Sequence, residues 1–207
     1  PAADAVRRAG GLLICDEVQA GFGRCGSHFW GHQKQGVIPD VVTMGKPMGN
    51  GHPVAGLVTS AEIMARFRGA FRYFNTFGGN PVSCAAAMAV LDELQEKNLQ
   101  ANAAKIGRLA HQRLTDLAAK YPIIGDVRQS GMVFGAEFVL DRDTKAPAAA
   151  YADLVVNRMR QRGIILSKLG RHKNTLKIRP PMPFGEDHLD LLMTTLDAVL
   201  AESPVTG

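Results

Sequence analysis

Short apolar runs separated by polar, glycine-bearing loops fill the first part of the chain, and long stretches of three-and-four periodicity follow. Leu12-Leu13-Ile14-Cys15 lies between Gly10-Gly11 and the acids Asp16 and Glu17. A run of this length without alternation reads as a strand buried on both faces of a parallel sheet. Asp40-Val41-Val42-Thr43-Met44 repeats the form after Pro39, and a third run, Val54 to Thr59, follows the loop Gly49-Asn50-Gly51-His52-Pro53. Strands ending in such loops predict an open α/β sheet whose ligands gather at the strands' carboxyl ends.

Helical patterning takes over at Asn80-Pro81, an N-cap followed by proline at the first helical position, which opens an alanine-rich helix to about Gln95. A second helix, near Asn98 to Lys120, carries Leu99, Ala103, Ile106, Ala110, Leu114 and Leu117 on one stripe and ends before Pro122. Beyond Ile123, short strands are expected around Val133-Phe138, Ile164-Ser167 and Thr175-Arg179, with helices near Ala148-Arg162 and Glu186-Ala201. Leu189, Leu192, Leu196 and Val199 face inward on the last of these. The organisation predicted is an α/β region over residues 1–97, then a linking helix and a small α+β domain over 98–207.

Composition narrows the class. The chain has 207 residues, 46% hydrophobic and 21% charged, which suits a globular fold and excludes disorder and collagen-like or coiled-coil classes. The net charge of +5 is scattered rather than gathered into a tract, which argues against a nucleic-acid partner. No apolar stretch has the length of a membrane span, and the first residues lack the pattern of a signal peptide. Cys15, Cys25 and Cys84 are odd in number and without metal-ligand spacing, so reduced thiols in a cytoplasmic protein are expected, with neither zinc nor a disulfide framework. Pro1 to Ala9 looks like the end of a helix feeding a strand, as expected of a fragment.

The chemistry centres on Thr43-Met44-Gly45-Lys46-Pro47-Met48-Gly49-Asn50-Gly51, a lysine just past a strand, among residues that turn tightly. A partly desolvated lysine loses its proton readily and attacks aldehydes, although a structural loop lysine fits the spacing too. Asp16, at the end of a neighbouring strand, could converge on the same crevice. A carboxylate buried there needs a cationic partner, and the protonated ring nitrogen of pyridoxal phosphate is one; capping of a turn is the plainer role for Asp16 alone.

The segments Asp16-Glu17-Val18-Gln19-Ala20-Gly21-Phe22-Gly23-Arg24, Lys46 with its neighbours, and Asn75-Thr76-Phe77-Gly78-Gly79-Asn80-Pro81 resemble, in order and spacing, the class III pyridoxal-phosphate aminotransferases of fold type I. His28-Phe29-Trp30, the Met44-to-Pro53 run and Leu176-Lys177-Ile178-Arg179-Pro180-Pro181-Met182 are similar to the branch holding alanine–glyoxylate aminotransferase 2 and the ethanolamine-phosphate and hydroxylysine-phosphate phospho-lyases. The resemblance implies the C-terminal half of such an enzyme: the second part of the cofactor-binding large domain over 1–97 and the small domain after it. An upstream half would supply the loop that cradles the cofactor phosphate and the aromatic ring stacked on the pyridine.

The resemblance further implies that Lys46 forms the Schiff base with pyridoxal 5'-phosphate and that Asp16 pairs with the pyridinium nitrogen. Val18 would pack on the ring and Gln19 bond near its phenolic oxygen. Thr76 would reach the cofactor phosphate of a partner subunit in a homodimer with a shared active site, although a threonine in a glycine-rich turn needs no such role. Arg179 matches a position that binds a substrate carboxylate, a task suited to guanidinium, and is otherwise a strand-end arginine in a surface ion pair. Lysine is commoner there in the phospho-lyases, so Arg179 favours transamination. The expected activity is transfer of an amino group from an amino acid or amine to a keto acid or aldehyde. The alternatives are phosphate elimination from an amino-alcohol phosphate, and a truncated, non-catalytic chain.

Other patterns lead elsewhere. Gly21-Phe22-Gly23-Arg24-Cys25-Gly26 satisfies GxGxxG, but Asp16 to Gln19 separate it from the strand and no helix opens at Gly26, so it reads as a turn rather than a dinucleotide loop. Phe22, Phe29 and Trp30 are expected to pack together. None of the six histidines has tight ligand spacing, and none is assigned to catalysis. Glu17 should point away from Asp16 on an extended segment, which excludes a glycosidase carboxylate pair.

Overall fold

The computed structural model describes residues 1–202, so the last five positions of the expected 98–207 domain lie outside the described residues. The chain divides into two compact units, Pro1–Gln100 and Ala101–Gly207.

The first unit contains α1 (Ala2–Arg8), β1 (Ile14–Asp16), β2 (Val41–Met44), β3 (Gly56–Thr59), α2 (Ala61–Ala70) and α3 (Pro81–Glu96), with short 3-10 helices at Gly31–Gln35 and Lys46–Met48. Its sheet runs β1-β2-β3. β1 and β2 are parallel, with Asp16 opposite Thr43, whereas β3 returns antiparallel to β2. The two parallel strands are brought into register by Asp40, whose Oδ2 accepts from Leu13 N at 2.8 Å while its own N–H donates to Leu13 O. Asn80 caps α3 by accepting from Ser83 N, with Pro81 next, as the cap-and-proline pattern predicts. Ser60 does the same for α2, which the apolar pattern does not mark.

Burial corrects one expectation. In place of a strand buried on both faces, Ile14 is 61% exposed, and Leu57 and Val58 of β3 are exposed as well. Among the described residues, β1 and β3 each keep one unpaired edge, and only Phe22 and Val41 of this unit are buried apolar side chains.

The second unit holds most of α4 (Leu99–Lys120), then β4 (Ile124–Ser130), β5 (Val133–Phe138), α5 (Ala149–Gln161), β6 (Ser167–Leu169), β7 (Thr175–Lys177) and α6 (Glu186–Glu202). Its antiparallel sheet has the order β4-β5-β7-β6. The stripe on α4 is buried as predicted at Ala103, Ile106, Ala110, Leu114 and Leu117, and α6 buries Leu189, Leu192, Leu196 and Val199 along with Met193 and Leu200. With Phe134, Phe138, Val155, Met159 and Leu176 these form one core. α4 approaches the β4–β5 turn so closely that a Cβ on Gly107 would lie 2.4 Å from Gly131 O. Gly131 itself has φ +56°, as the two-residue hairpin loop demands.

Two details differ from the sequence expectation. β4 was not predicted, because a register shift between Ile124 and Asp126 breaks its alternation and leaves only Ile124 and Val127 apolar. β6 lies at Ser167–Leu169 rather than Ile164–Ser167. It pairs Ser167 with Lys177, and continuing that register would set Ile164 against Pro180, which has no N–H to give.

Lys120 Nζ and Tyr121 Oη, at the end of α4, both donate to Asp197 Oδ1 of α6, at 2.7 and 2.6 Å. The bond from Lys120, then that from Tyr121, holds the Asp197 carboxyl below the usual carboxylate range. A depressed folded-state value means the contribution is complete above the ordinary carboxylate range and fades as pH falls through the depressed one. Thermal melts across acid pH are therefore expected to show a shallower loss of stability for Asp197→Asn than for the parent, from a lower starting value at neutral pH.

Candidate active site

The parallel pair β1 and β2 sets the site. Adjacent strands lie about 4.8 Å apart, and their carboxyl ends face the same way, so the residues that leave them share one edge. Asp16 ends β1 opposite Thr43, and Lys46 leaves β2 three residues beyond that pairing. The ladder continues one step further, with Glu17 N donating to Thr43 O at 2.9 Å. Asp16 Oδ1 accepts from Val18 N at 2.9 Å, which folds the chain into the turns that follow. Both Asp16 and Lys46 are exposed in this chain, rather than buried in a cleft.

Lys46 has φ +28°, in the region that favours glycine, and opens a 3-10 turn with Pro47 behind it. A non-glycine residue held there is strained, and such strain collects at functional positions. The rest of the loop is equally constrained. A Cβ on Gly49 would lie 2.0 Å from His52 O, and Asn50 also has positive φ. Val18 packs beside this segment: a Cβ on Gly45 would stand 3.7 Å from Val18 Cγ2. Gln19, exposed in the turn after Val18, completes the group from the first loop.

Thr76 lies exposed in the turn before α3. Asn75 Oδ1 shapes that turn by accepting from Phe77 N and Gly78 N. His52 Nε2 and Ser83 Oγ are 2.8 Å apart, and Asn80 Nδ2 donates to the same Oγ, so the loop after Lys46 is tied to the N-terminus of α3 and thus to the Thr76 turn. Arg179 belongs to the second unit, where it follows β7 and lines a cleft with Ile165, Pro181, Phe184, His188 and Leu191.

The glycine-rich segment after β1 forms turns, with Gly23 and Gly26 at positive φ and no helix at Gly26. Phe22, Phe29 and Trp30 pack edge-on and tilted, with ring centroids 4.8 to 5.6 Å apart. Behind Asp16 is a feature the sequence patterns did not reveal. Glu17, 1% exposed, accepts from Gly31 N, His32 N and His32 Nδ1, each at 2.8 Å. Alternation along the strand signalled that Glu17 points away from Asp16, but its partners lie fourteen and fifteen residues on. Cys15, which precedes Asp16 on β1, has its thiol pushed up by burial and then by the Glu17 carboxylate.

Among the described residues no helix is long and apolar enough to cross a membrane. The family model for class III aminotransferases matches residues 2–200. An alanine–glyoxylate aminotransferase 2-like protein of Drosophila melanogaster is 47% identical over 90% of this chain and 38% of its own length. An ethanolamine-phosphate phospho-lyase homologue of Caenorhabditis elegans is 44% identical over 94% of this chain and 42% of its own. A solved phospholyase from Arthrobacter, in complex with phosphoethanolamine, superposes with a TM-score of 0.94 at 46% identity, over 98% of this chain and 48% of that one. The chain thus spans about two fifths of these curated relatives and about half of the solved structure. With β1 and β2 parallel, β3 antiparallel and an α+β unit following, it has the α/β architecture of fold type I, and it belongs to the class III aminotransferase family.

Proposed function

We propose that this chain carries the lysine half of the active site of a pyridoxal-phosphate-dependent aminotransferase. The observation that carries the reading is the placement of Asp16 at the carboxyl end of β1 and of Lys46 just beyond the carboxyl end of the parallel strand β2, with Lys46 in a strained backbone conformation. The donor set fits the cofactor: an amine for its aldehyde, a carboxylate for its ring nitrogen, and an apolar side chain, Val18, beside the lysine loop. When bound, pyridoxal phosphate supplies an aldehyde carbon that accepts amines and a ring that withdraws electrons from the substrate's α-carbon.

The residues divide the remaining work. Asp16 holds a proton on the ring nitrogen, Val18 packs on the ring face and Gln19 bonds near the phenolic oxygen. Lys46 Nζ would hold the cofactor through its aldehyde and, as a free amine, would serve as the base and acid that carries the substrate's α-proton. Thr76 reaches the phosphate bound by a second copy in a homodimer, and Arg179 takes the substrate carboxylate through its planar fork. The substrates are an amino acid or amine and a keto acid or aldehyde. In domain terms, residues 1–97 belong to the cofactor-binding large domain and 98–207 to the linking helix and small domain. Three free cysteines suit a reducing, cytoplasmic setting.

A second reading, phosphate elimination from an amino-alcohol phosphate, is supported by the similarity to the phospho-lyase homologue and to the Arthrobacter phospholyase. The test supplies the purified protein with pyridoxal phosphate, amino donors and acceptors, and an amino-alcohol phosphate, and follows amino transfer and inorganic phosphate together. Transfer without phosphate release is expected. Release without transfer would replace the proposal by the second reading, and neither activity, with no visible absorbance from bound cofactor, would mark a non-catalytic chain.

A further inference from the structure

The buried carboxylate next to Asp16 has no role in the chemistry above, yet it accepts three hydrogen bonds. Glu17 Oε2 accepts from Gly31 N, and Oε1 accepts from both His32 N and His32 Nδ1, all at 2.8 Å. An ionised carboxylate only accepts, so Nδ1 carries the ring proton. The two backbone donors are the first N–H groups of the 3-10 helix Gly31–Gln35, so Glu17 caps that helix from the segment that follows β1. Gly31 leaves no slack: a Cβ there would lie 2.5 Å from Ala20 Cβ and 3.2 Å from Glu17 Oε2. The main chain of Glu17 is held as well, through its N–H to Thr43 O on β2.

Successive side chains on an extended segment point to opposite sides. Fixing Glu17 at both its backbone and its carboxylate therefore fixes the direction in which Asp16 leaves the strand. Asp16 Oδ1 itself accepts from Val18 N, two residues on.

We propose that Glu17 is a positioning residue for Asp16: its threefold bond to Gly31 and His32 orients the Asp16 carboxylate toward the cofactor's ring nitrogen. This rests on the assignment of Asp16 to that nitrogen. Glutamine at position 17 keeps the shape but offers one acceptor oxygen and an NH2 group to three converging donors, so at least one N–H faces another N–H.

The test reads cofactor retention rather than turnover. The pyridoxal-phosphate-loaded protein is diluted into a scavenger of free cofactor, and the loss of visible absorbance gives the dissociation rate for the parent, Glu17→Gln, Asp16→Ala and the double variant. Glu17→Gln is expected to speed dissociation about tenfold in the parent, but less than about twofold on the Asp16→Ala background, because a residue acting through Asp16 has nothing left to orient. His32→Ala, which keeps both backbone donors and removes the ring contact, is expected to show the same dependence on Asp16 with a smaller effect, and it decides the matter if Glu17→Gln does not fold. Equal acceleration in both backgrounds would reduce Glu17 to a structural group. An unchanged rate in Glu17→Gln, with Asp16→Ala fast, would overturn this inference alone. An unchanged rate in Asp16→Ala would overturn the role of Asp16 and this inference with it.

Discussion

Lys46→Ala is expected, on the proposed function, to lower amino transfer by about a thousandfold or more, since one substitution would remove both the amine proposed to hold the cofactor and the base proposed to move the proton. Borohydride treatment of the cofactor-loaded parent, followed by peptide mass mapping, should place the label on the peptide that contains Lys46, and the variant should carry none. The fold should be indifferent to the change. Lys46 is exposed, and φ +28° is a conformation that neither lysine nor alanine prefers, so the strain carries over. A label on another lysine, or amino transfer that survives the substitution, would refute the assignment. Loss of activity together with loss of folding would make Lys46 a structural residue, and circular dichroism separates that outcome from a catalytic one.

Phe138→Ala is expected to be the more damaging change for stability. Phe138 is 0% exposed at the end of β5 and meets Tyr151 of α5 edge-on, with ring centroids 5.2 Å apart. Its backbone is bonded on both sides: its N–H donates to Asn174 O, and its carbonyl accepts from Ala148 N and Asn174 Nδ2. These bonds hold the backbone in place when the ring is removed, so the surroundings cannot close fully on the space. A loss of about 3–5 kcal/mol follows for the second unit, to be read from urea unfolding. Two positions away, Leu140 is 60% exposed, and Leu140→Ala should change stability by no more than about 0.5 kcal/mol. A similar cost at the two sites would contradict the core described here.

The same contrast separates what local patterning conveys from what it does not. The stripe on α4 and the cap at Asn80-Pro81 were legible because helix formation depends on neighbours three and four residues apart. The strand ends at Asp16 and Lys46 were legible as places where an apolar run meets polar and glycine-rich residues. β4 and the position of β6 were not, because a strand's limits depend on its partner. A register shift hides the first, and Pro180 curtails the second.

The candidate-site group shows the same division. Residue types and their order along the chain already marked Asp16 and Lys46 as a carboxylate and an amine at neighbouring strand ends, since a strand's direction and alternation are local properties. The Glu17 clamp on Gly31 and His32, and the tie from His52 to Ser83, join residues 14 to 31 positions apart. No periodicity links such positions; their meeting depends on how loops close over a sheet, which is a matter of steric fit and hydrogen-bond satisfaction in three dimensions. Burial belongs to that second class as well. An apolar run announces that Ile14 prefers to be covered, but whether it is covered depends on which strands and helices pack against it, and in this chain it is 61% exposed.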